Sequence, residues 1–439
     1  MSTDRSLSMN ATIPVLVCFD VEPDEREVDI DARADWVGFE RAAALIDVLR
    51  PRMEAATGRS ARVSWFLRMD PQITQVYGNA GWAADRYSAL FDALVADGDE
   101  LGLHVHPWQW DGERSMWMQN FADQSWVSYC VESAFAAFER AFGSRCRAFR
   151  FGDRWMNDET MALLERLGVT TDTTIEPGHT GTETPDAYTG TFPDYSEMSC
   201  LPYRPSRHDF RSPSEDGFDL LAIPIGCVPA DWVSSPSVGA SAALLNGAAD
   251  YEGTLDAASM VEIAGWVWDR SQPDAVFDVE VLCDGESLAT VGATGFRDDL
   301  ADAGKGSGKH AFRLATPNRL KDGQPHVIRV RVAGTDVYLD GNPLVLQATA
   351  DPDSDIITLY LDQHPFTFGL VVDRLLADPT TVVLTMKVRC DFATSTQRHA
   401  NFRGNIEHLL AHPLARRFEF ISPNEFAQRS QTPALASRP

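Results

Sequence analysis

Residues 13–24 read IPVLVCFDVEPD, and this stretch decides the fold class of the 439-residue chain. A short apolar run, residues 13–19, passes directly into acidic residues that begin with Asp20 and Glu22. Buried strands of parallel sheets have this form, and acids at their C-terminal ends lie on the face where such folds carry active sites. If the strand continues through Glu22, the two carboxylates point the same way and could act as a base and a metal ligand. A solvated strand end and a helix cap are the alternative interpretations.

Short apolar runs alternate with helical patterns around this stretch, from residue 11 to about residue 235. The strand-like runs are residues 13–19, 62–67, 100–105, 169–175 and 220–225. The helical patterns are a segment that Asp35 can cap and residues 87–96, 125–142 and 158–167. This alternation predicts an α/β domain with a parallel sheet, either open or closed into a barrel.

The pattern changes after a small, polar stretch at residues 236–249. Residues 251–348 have no helical period, and their strand-like runs are 261–268, 277–282, 287–291, 310–314 and 327–332. The first pattern then resumes with strands at 356–361, 382–388 and 418–421 and helices at 369–376 and 401–411. We therefore predict an α/β domain in two parts, residues 1–249 and 349–430. An all-β, sandwich-like module at 250–348 is inserted between them, and a disordered tail at 431–439 follows.

Composition excludes several classes of function. The chain carries 64 acidic and 38 basic residues, a formal charge of −26, which disfavours nucleic acid as a partner. Seven cysteines without a CxxC pair predict reduced thiols in a cytoplasmic protein. The first apolar run is too short for a signal peptide, and no run reaches the ~18 apolar residues of a membrane span. The oligomeric state is left open.

A second candidate site lies at residues 98–108, which read GDELGLHVHPW. His104 and His106 are two residues apart at the end of a predicted strand, so both imidazoles lie on one face. This arrangement suits a metal with nitrogen and oxygen ligands. A hydrogen-bonded histidine pair is the alternative.

Two further strand ends carry polar residues. Residues 149–155 read FRFGDRW, and Arg150 in this position can hold a carboxylate with two hydrogen bonds. Residues 359–366 read LYLDQHPF and place His364 after another strand. A surface arginine and an ordinary proline turn are the alternatives.

Taken together, these motifs resemble the polysaccharide deacetylase family, the NodB-homology carbohydrate esterases. The resemblance covers roughly residues 11–235 and 355–428. Residues 20–24 resemble the first family motif, 97–104 the second, 149–150 the third and 357–364 the fifth. Asp231 and Trp232 are a loose match to the fourth. The resemblance implies a distorted (β/α)7 barrel, here with the β-module inserted.

The family resemblance also implies a role for each matching residue. Asp20 would be the general base, Arg150 would orient it, and His364 would protonate the leaving amine. Glu22, His104 and a second histidine would hold a divalent metal, commonly Zn²⁺ in the family. The residues expected to bind substrate are Trp108, Trp155, Asp231 and Trp232. The implied reaction is hydrolysis of an N-acetyl group on a sugar, nucleotide sugar or glycan intermediate.

Two departures from the family pattern keep other functions open. The family's second histidine stands four residues after the first, but that position is Trp108, so we assign the ligand role to His106. The usual adjacent aspartate is Val21, so Glu22 takes its place. A metal-dependent hydrolase of a non-sugar C–N bond and a non-catalytic carbohydrate-binding protein are the alternatives. Residues 263–269, IAGWVWD, resemble a β-module found beside bacterial glycan-processing domains, for which glycan binding and homo-oligomer contact both remain open.

Overall fold

A computed structural model describes residues 12–25, 33–181, 188–229, 250–259, 261–320, 326–346, 356–363 and 365–430. The chain divides into two compact units, one formed by Met1–Cys227 with Thr358–Pro439 and the other by Val228–Ile357. The sequence-derived limits at residues 249 and 348, and the tail at 431–439, fall outside the described ranges and stay predictions.

The part of the chain before residue 230 supplies most of the first unit. Its strands are β1 (Ile13–Val21), β2 (Ser64–Arg68), β3 (Glu100–Val105), β4 (Trp108–Asp111), β5 (Met116–Asn120), β6 (Ala148–Phe151), β7 (Thr171–Asp172), β8 (Tyr188–Thr189), β9 (Leu221–Ala222) and β10 (Cys227–Pro229). Its helices are α1 (Val37–Thr57), α2 (Pro71–Tyr77), α3 (Trp82–Arg86), α4 (Ser88–Ala96), α5 (Gln124–Phe142) and α6 (Asp158–Leu167), with a short 3-10 turn at Gly152–Arg154.

Two antiparallel sheets make up the second unit. Its strands are β11 (Tyr251–Ala258), β12 (Glu262–Asp269), β13 (Asp278–Cys283), β14 (Glu286–Gly292), β15 (Gly295–Phe296), β16 (Lys309–Ala315), β17 (His326–Val332) and β18 (Leu344–Leu346). The sheet orders are β11-β12-β16-β15 and β14-β13-β17-β18, and residues such as Val267 and Val330 share one apolar core. The structure adds to the sequence expectation the strands β11, β15 and β18 and a helix α7 (Asp298–Asp302), which is too short to produce a helical period.

The chain passes back into the first unit at Thr358, the last residue of the next strand. It forms β19 (Ile356–Thr358), α8 (Pro365–Ala377), β20 (Leu384–Arg389), α9 (Thr396–Ala411), β21 (Phe418–Phe420) and α10 (Pro423–Ser430). Strand β19 pairs with β10, and β21 pairs with β1. The site-bearing sheet is therefore built from both ends of the sequence.

A curled, parallel sheet positions the site. Its order is β20-β1-β2-β3-β6-β7-β9, and every ladder along it is parallel. A hydrogen bond connects its two ends: Gly226 N, shortly after β9, donates to Thr385 O of β20 at 2.8 Å. This arrangement fits a distorted barrel, in which the C-terminal ends of the strands meet on one face.

The helices of the first unit cover the outside of this sheet with apolar residues. Phe39 on α1 is fully buried and packs edge-on against Trp65 of β2, with ring centroids 5.6 Å apart. Trp65 in turn stacks on Phe19 of β1 at 4.3 Å. All seven cysteines are free thiols, as the sequence predicted, and most are buried among these apolar side chains.

The start of α1 shows what one of the acids after β1 does. The sequence favoured Asp35 as the helix cap, but the N-cap residue is Trp36, whose side chain makes no capping hydrogen bond. Asp24 serves instead, because its Oδ1 accepts a hydrogen bond from Gly38 N at 2.9 Å. A carboxylate at a helix N-terminus satisfies donors that the helix leaves unpaired. Asp24 therefore belongs to the helix, and Glu22 is the acid that faces the site.

Candidate functional site

Asp20 and Arg150 form a buried ion pair at the C-terminal ends of β1 and β6. Arg150 Nε donates to Asp20 Oδ1 at 2.8 Å, and its Nη1 donates to the carbonyl of Thr173 at 2.8 Å. Asp20 is 4% exposed and Arg150 1%. Burial raises the pKa of Asp20, and the guanidinium of Arg150 opposes that shift. The pair therefore places a carboxylate of raised basicity, in a fixed orientation, at the strand ends.

Glu22 lies beside this pair with its two oxygens in different surroundings. Its Oε1 is 2.6 Å from Nε of Arg389, the last residue of the neighbouring strand β20. Its Oε2 lies 3.8 Å from His106 Nε2 and 3.7 Å from Arg68 Nη1. Arg389 thus fixes one oxygen, and the other faces the histidines.

His104 and His106 point their Nε2 atoms at each other across 3.0 Å. His104 Nδ1 lies 3.3 Å from the carbonyl oxygen of Arg150 and 3.9 Å from Asp20 Oδ1. Both neighbours only accept hydrogen bonds, so Nδ1 carries the proton and Nε2 carries a lone pair. His106 Nδ1 likewise faces an acceptor, Gln119 Oε1, at 2.9 Å. Two lone pairs therefore face one another in a buried place, an arrangement that a cation between them would satisfy.

The surroundings of His104 keep its ring neutral. Burial, the neighbouring His106 and the charge of Arg150 lower the pKa of His104 well below its usual value. A neutral imidazole is the form that binds metals. Glu22, His104 and His106 offer ligand atoms that all lie within 4.8 Å of one another. Two imidazole nitrogens and a carboxylate oxygen are a donor set that zinc takes in catalytic sites, so these residues fit a divalent metal.

The turn after β6 packs against the ring of His106. A Cβ atom added to Gly152 would overlap the imidazole ring of His106. The next two residues, Asp153 and Arg154, have φ values of 52° and 55°, a left-handed conformation that is costly for residues other than glycine. Such strain concentrates at functional sites, where surrounding contacts hold it in place.

The structure brings together the sequence-predicted Asp20, Glu22, His104, His106 and Arg150. Trp108 and Trp155 are also close by but have little exposed surface, 3% and 4%. Trp108 lies beside the ring of His106, with centroids 6.2 Å apart, and Trp155 stacks on Phe121 at 5.1 Å. Their role in substrate binding stays a prediction. His364, Asp231 and Trp232 lie outside the described residues, and their roles stay predictions too.

Several residues at the site were not singled out from the sequence. Glu176 follows β7 and lies 3.7 Å from Arg150 Nη2, and Lys387 of β20 donates a hydrogen bond to the same carboxylate. Lys387 and Arg150 hold the pKa of Glu176 at about 2, although burial alone would raise it. The available signals were their positions: an acid after a strand-like run, and a lysine inside an apolar strand. Gln119 of β5, which contacts His106, carried no such signal.

The comparison with solved structures found polysaccharide deacetylases and family 4 carbohydrate esterases, all at low similarity. A solved structure from Mycobacterium smegmatis, assigned to the polysaccharide deacetylases, is 12% identical and has a TM-score of 0.39 over 98% of this chain and 94% of its own. A family 4 carbohydrate esterase from Streptomyces lividans, solved with acetate, is 16% identical over 37% of this chain and 62% of its own, with a TM-score of 0.23. A family 4 pseudoenzyme from Bacillus anthracis, mutated to restore activity, is 12% identical over 37% and 45%, with a TM-score of 0.24.

No protein-family model and no curated protein sequence matches the chain. Because the structural similarities are low, the geometry of the site carries the functional argument. Among the helices that the structure describes, none is long and apolar enough to cross a lipid bilayer.

Proposed function

We propose that the first unit is a metal-dependent deacetylase that hydrolyses an N-acetyl group on a sugar, nucleotide sugar or glycan intermediate. One observation carries the proposal. The Nε2 atoms of His104 and His106 face each other at 3.0 Å, each ring with an acceptor at its Nδ1, beside Oε2 of Glu22 and the buried carboxylate of Asp20. A site for a divalent metal and a site for a general base are therefore adjacent.

His104, His106 and Glu22 would hold the metal, with Zn²⁺ as the favoured ion. When bound, it would lower the pKa of a water and polarise the amide carbonyl. Asp20 takes the proton from the attacking water, and its raised pKa makes it a stronger base than a solvent-exposed aspartate. Arg150 holds the carboxylate of Asp20 in place through its Nε.

Collapse of the tetrahedral intermediate requires a proton on the leaving nitrogen. His364 would supply it, as the family resemblance implies. A positioned imidazole acid contributes typically 10²–10⁴-fold to such a step. The products are acetate and a free amine on the remaining molecule.

The direct test is the metal content of the purified protein, measured by mass spectrometry for the wild type and for His104→Ala/His106→Ala. The exposed His208 supplies a control variant, His208→Ala. We expect near-stoichiometric zinc in the wild type and the control and none in the double variant. Acetate release is then measured with N-acetylated sugars, nucleotide sugars and non-sugar acetamides.

Each outcome separates the candidate functions. Acetate release from sugar substrates supports the proposal, and release from non-sugar acetamides alone favours a hydrolase of other C–N bonds. A wild-type protein that takes up no divalent metal, even when zinc is supplied, contradicts the catalytic proposal. A carbohydrate-binding protein would then be the better account.

A further inference from the structure

Gln119 is a fully buried side chain that lies behind His106, on the side away from His104. We infer that Gln119 and Asp153 are positioning residues that fix His106 as a metal ligand and allow it to replace the histidine missing at position 108. The inference rests on the proposed function and deepens it, because it identifies what makes the unusual two-residue spacing workable.

Hydrogen-bond polarity carries the first step of the argument. Gln119 Nε2 donates to the carboxylate of Asp153, so the carboxamide is oriented with its Oε1 toward His106. His106 Nδ1 lies 2.9 Å from that Oε1 and 3.4 Å from Asp153 Oδ2. Because a carboxylate cannot donate, Asp153 determines the orientation of the amide, and the amide determines which ring nitrogen carries the proton. The lone pair is then on Nε2, the atom that faces His104.

Backbone geometry also holds the ring of His106 in place. The ring of His106 lies directly against Gly152, where a larger residue has no room, and Asp153 holds its carboxylate in place from a backbone with φ of 52°. His106 N also donates to Asp70 Oδ2 at 3.3 Å, which anchors the main chain of the ligand. The ring is therefore constrained on its face, at Nδ1 and at its backbone.

The hairpin formed by β4 and β5 places Gln119 beside His106. In its antiparallel register Trp108 pairs with Gln119, so the segment that follows His106 returns with Gln119 beside the imidazole. Asn120 N donates to the carbonyl of Pro107 at 3.0 Å and closes the ladder next to the ligand. The position that holds the second histidine in the family is thus used for building the hairpin that supports His106.

Outer partners of metal-binding histidines orient the ring, and their loss typically weakens metal affinity about 10- to 100-fold. The variant Gln119→Leu removes the acceptor at similar volume. Gln119→Glu/Asp153→Asn is a matched rescue, because the new carboxylate accepts from His106 and the new amide donates to that carboxylate. Asparagine also tolerates the left-handed backbone at position 153. Gln124→Leu, which removes a partly buried amide that bonds Asn157, is the control.

The experiment measures zinc affinity by competition with a chelator and the absorption spectrum of the cobalt-substituted protein. Nitrogen NMR of histidine-labelled, metal-free protein reports the tautomer of His106 independently of any metal. We expect Gln119→Leu to bind zinc about 10- to 100-fold more weakly, with a changed cobalt spectrum and a mixed His106 tautomer. The double variant should recover most of the affinity, and Gln124→Leu should match the wild type.

Two failures are distinguishable. A wild type that binds zinc, combined with a Gln119→Leu variant of equal affinity and unchanged tautomer, overturns the positioning role and leaves the proposed function intact. A wild type that binds no zinc overturns the proposed function and the inference together. A double variant as weak as Gln119→Leu also counts against the inference, because it would trace the loss to packing rather than to hydrogen-bond polarity.

Discussion

At the scale of single residues, Arg150 shows how one side chain orients Asp20, the proposed base. Its guanidinium bonds Asp20 and the Thr173 carbonyl at once, a geometry that an ammonium group cannot reproduce. Losing a hydrogen bond to a charged group costs about 1.5–3 kcal/mol, so Arg150→Lys should lower kcat/KM about 10- to 100-fold. Steady-state deacetylation kinetics measure this, with the exposed Arg147→Lys as the control.

The zinc content of Arg150→Lys should stay at the wild-type level. His104 bonds the main-chain carbonyl of residue 150, which the substitution leaves in place. Wild-type kinetics in this variant would show that Asp20 does not depend on the guanidinium. A loss of zinc would show that Arg150 supports the metal site rather than the base.

The residues that sequence reasoning found are those whose position alone reveals their chemistry. Asp20, His104 and Arg150 each end a strand of the parallel sheet, where side chains converge whatever the loops do. Gln119 and Asp153 could not be found in this way. Their contact with His106 depends on the register of a hairpin and on a left-handed turn, and neither leaves a periodic pattern.

At the scale of elements, the segment after β7 shows how a strand ends at the candidate site. The strand-like run predicted a strand over residues 169–175, but only Thr171–Asp172 forms strand β7. The backbone then turns so that the Thr173 carbonyl accepts from Arg150 and Glu176 reaches Lys387 of β20. The strand-like pattern identified the element, and polar contacts with other strands decided where it ended.

The buried Glu176–Lys387 pair predicts acid sensitivity of the first unit. The pKa of Glu176 is about 2 in the folded chain, against an ordinary value of 4.5. A depressed pKa stabilises the fold above about pH 4.5, and this stabilisation, ~3 kcal/mol, is lost as the pH falls toward 2. Glu176→Gln should therefore destabilise the first unit at about pH 7, and the difference from the wild type should shrink at about pH 3.

Urea unfolding at both pH values measures this difference. Hydrogen exchange of peptides from β1, β3 and β6 monitors the unfolding of the first unit. Glu165→Gln is the control, because Glu165 pairs with Arg207 on the surface, where ion pairs contribute little. A difference between wild type and Glu176→Gln that is independent of pH would show that the carboxylate is not the stabilising group.

At the scale of the whole molecule, the candidate site belongs entirely to the first unit. Asp20, Glu22, His104 and Arg150 all precede residue 228, and Lys387 and Arg389 follow residue 357. The sequence indicated this return of the chain because the α/β pattern resumes after the β-rich stretch. The residues at which one unit passes into the other were not predictable in the same way, since short strands such as β10 and β19 pair across a large sequence separation.

Removal of the proposed metal should therefore loosen the first unit and leave the second unchanged. A ligand that binds only the folded state stabilises it by about 4 kcal/mol at a thousandfold excess over Kd, and a chelator withdraws that contribution.

Hydrogen exchange with and without a chelator measures the effect. We expect faster exchange in peptides that contain β1, β3 and β5. Strand β1 ends next to Glu22, β3 carries His104 and β5 carries Gln119. Peptides from β12, β13 and β17 should exchange at the same rate in both conditions, since their core is built from apolar residues such as Val267 and Val330. Equal acceleration in both units would instead mean that the metal stabilises the chain through sites outside the His104–His106 pair.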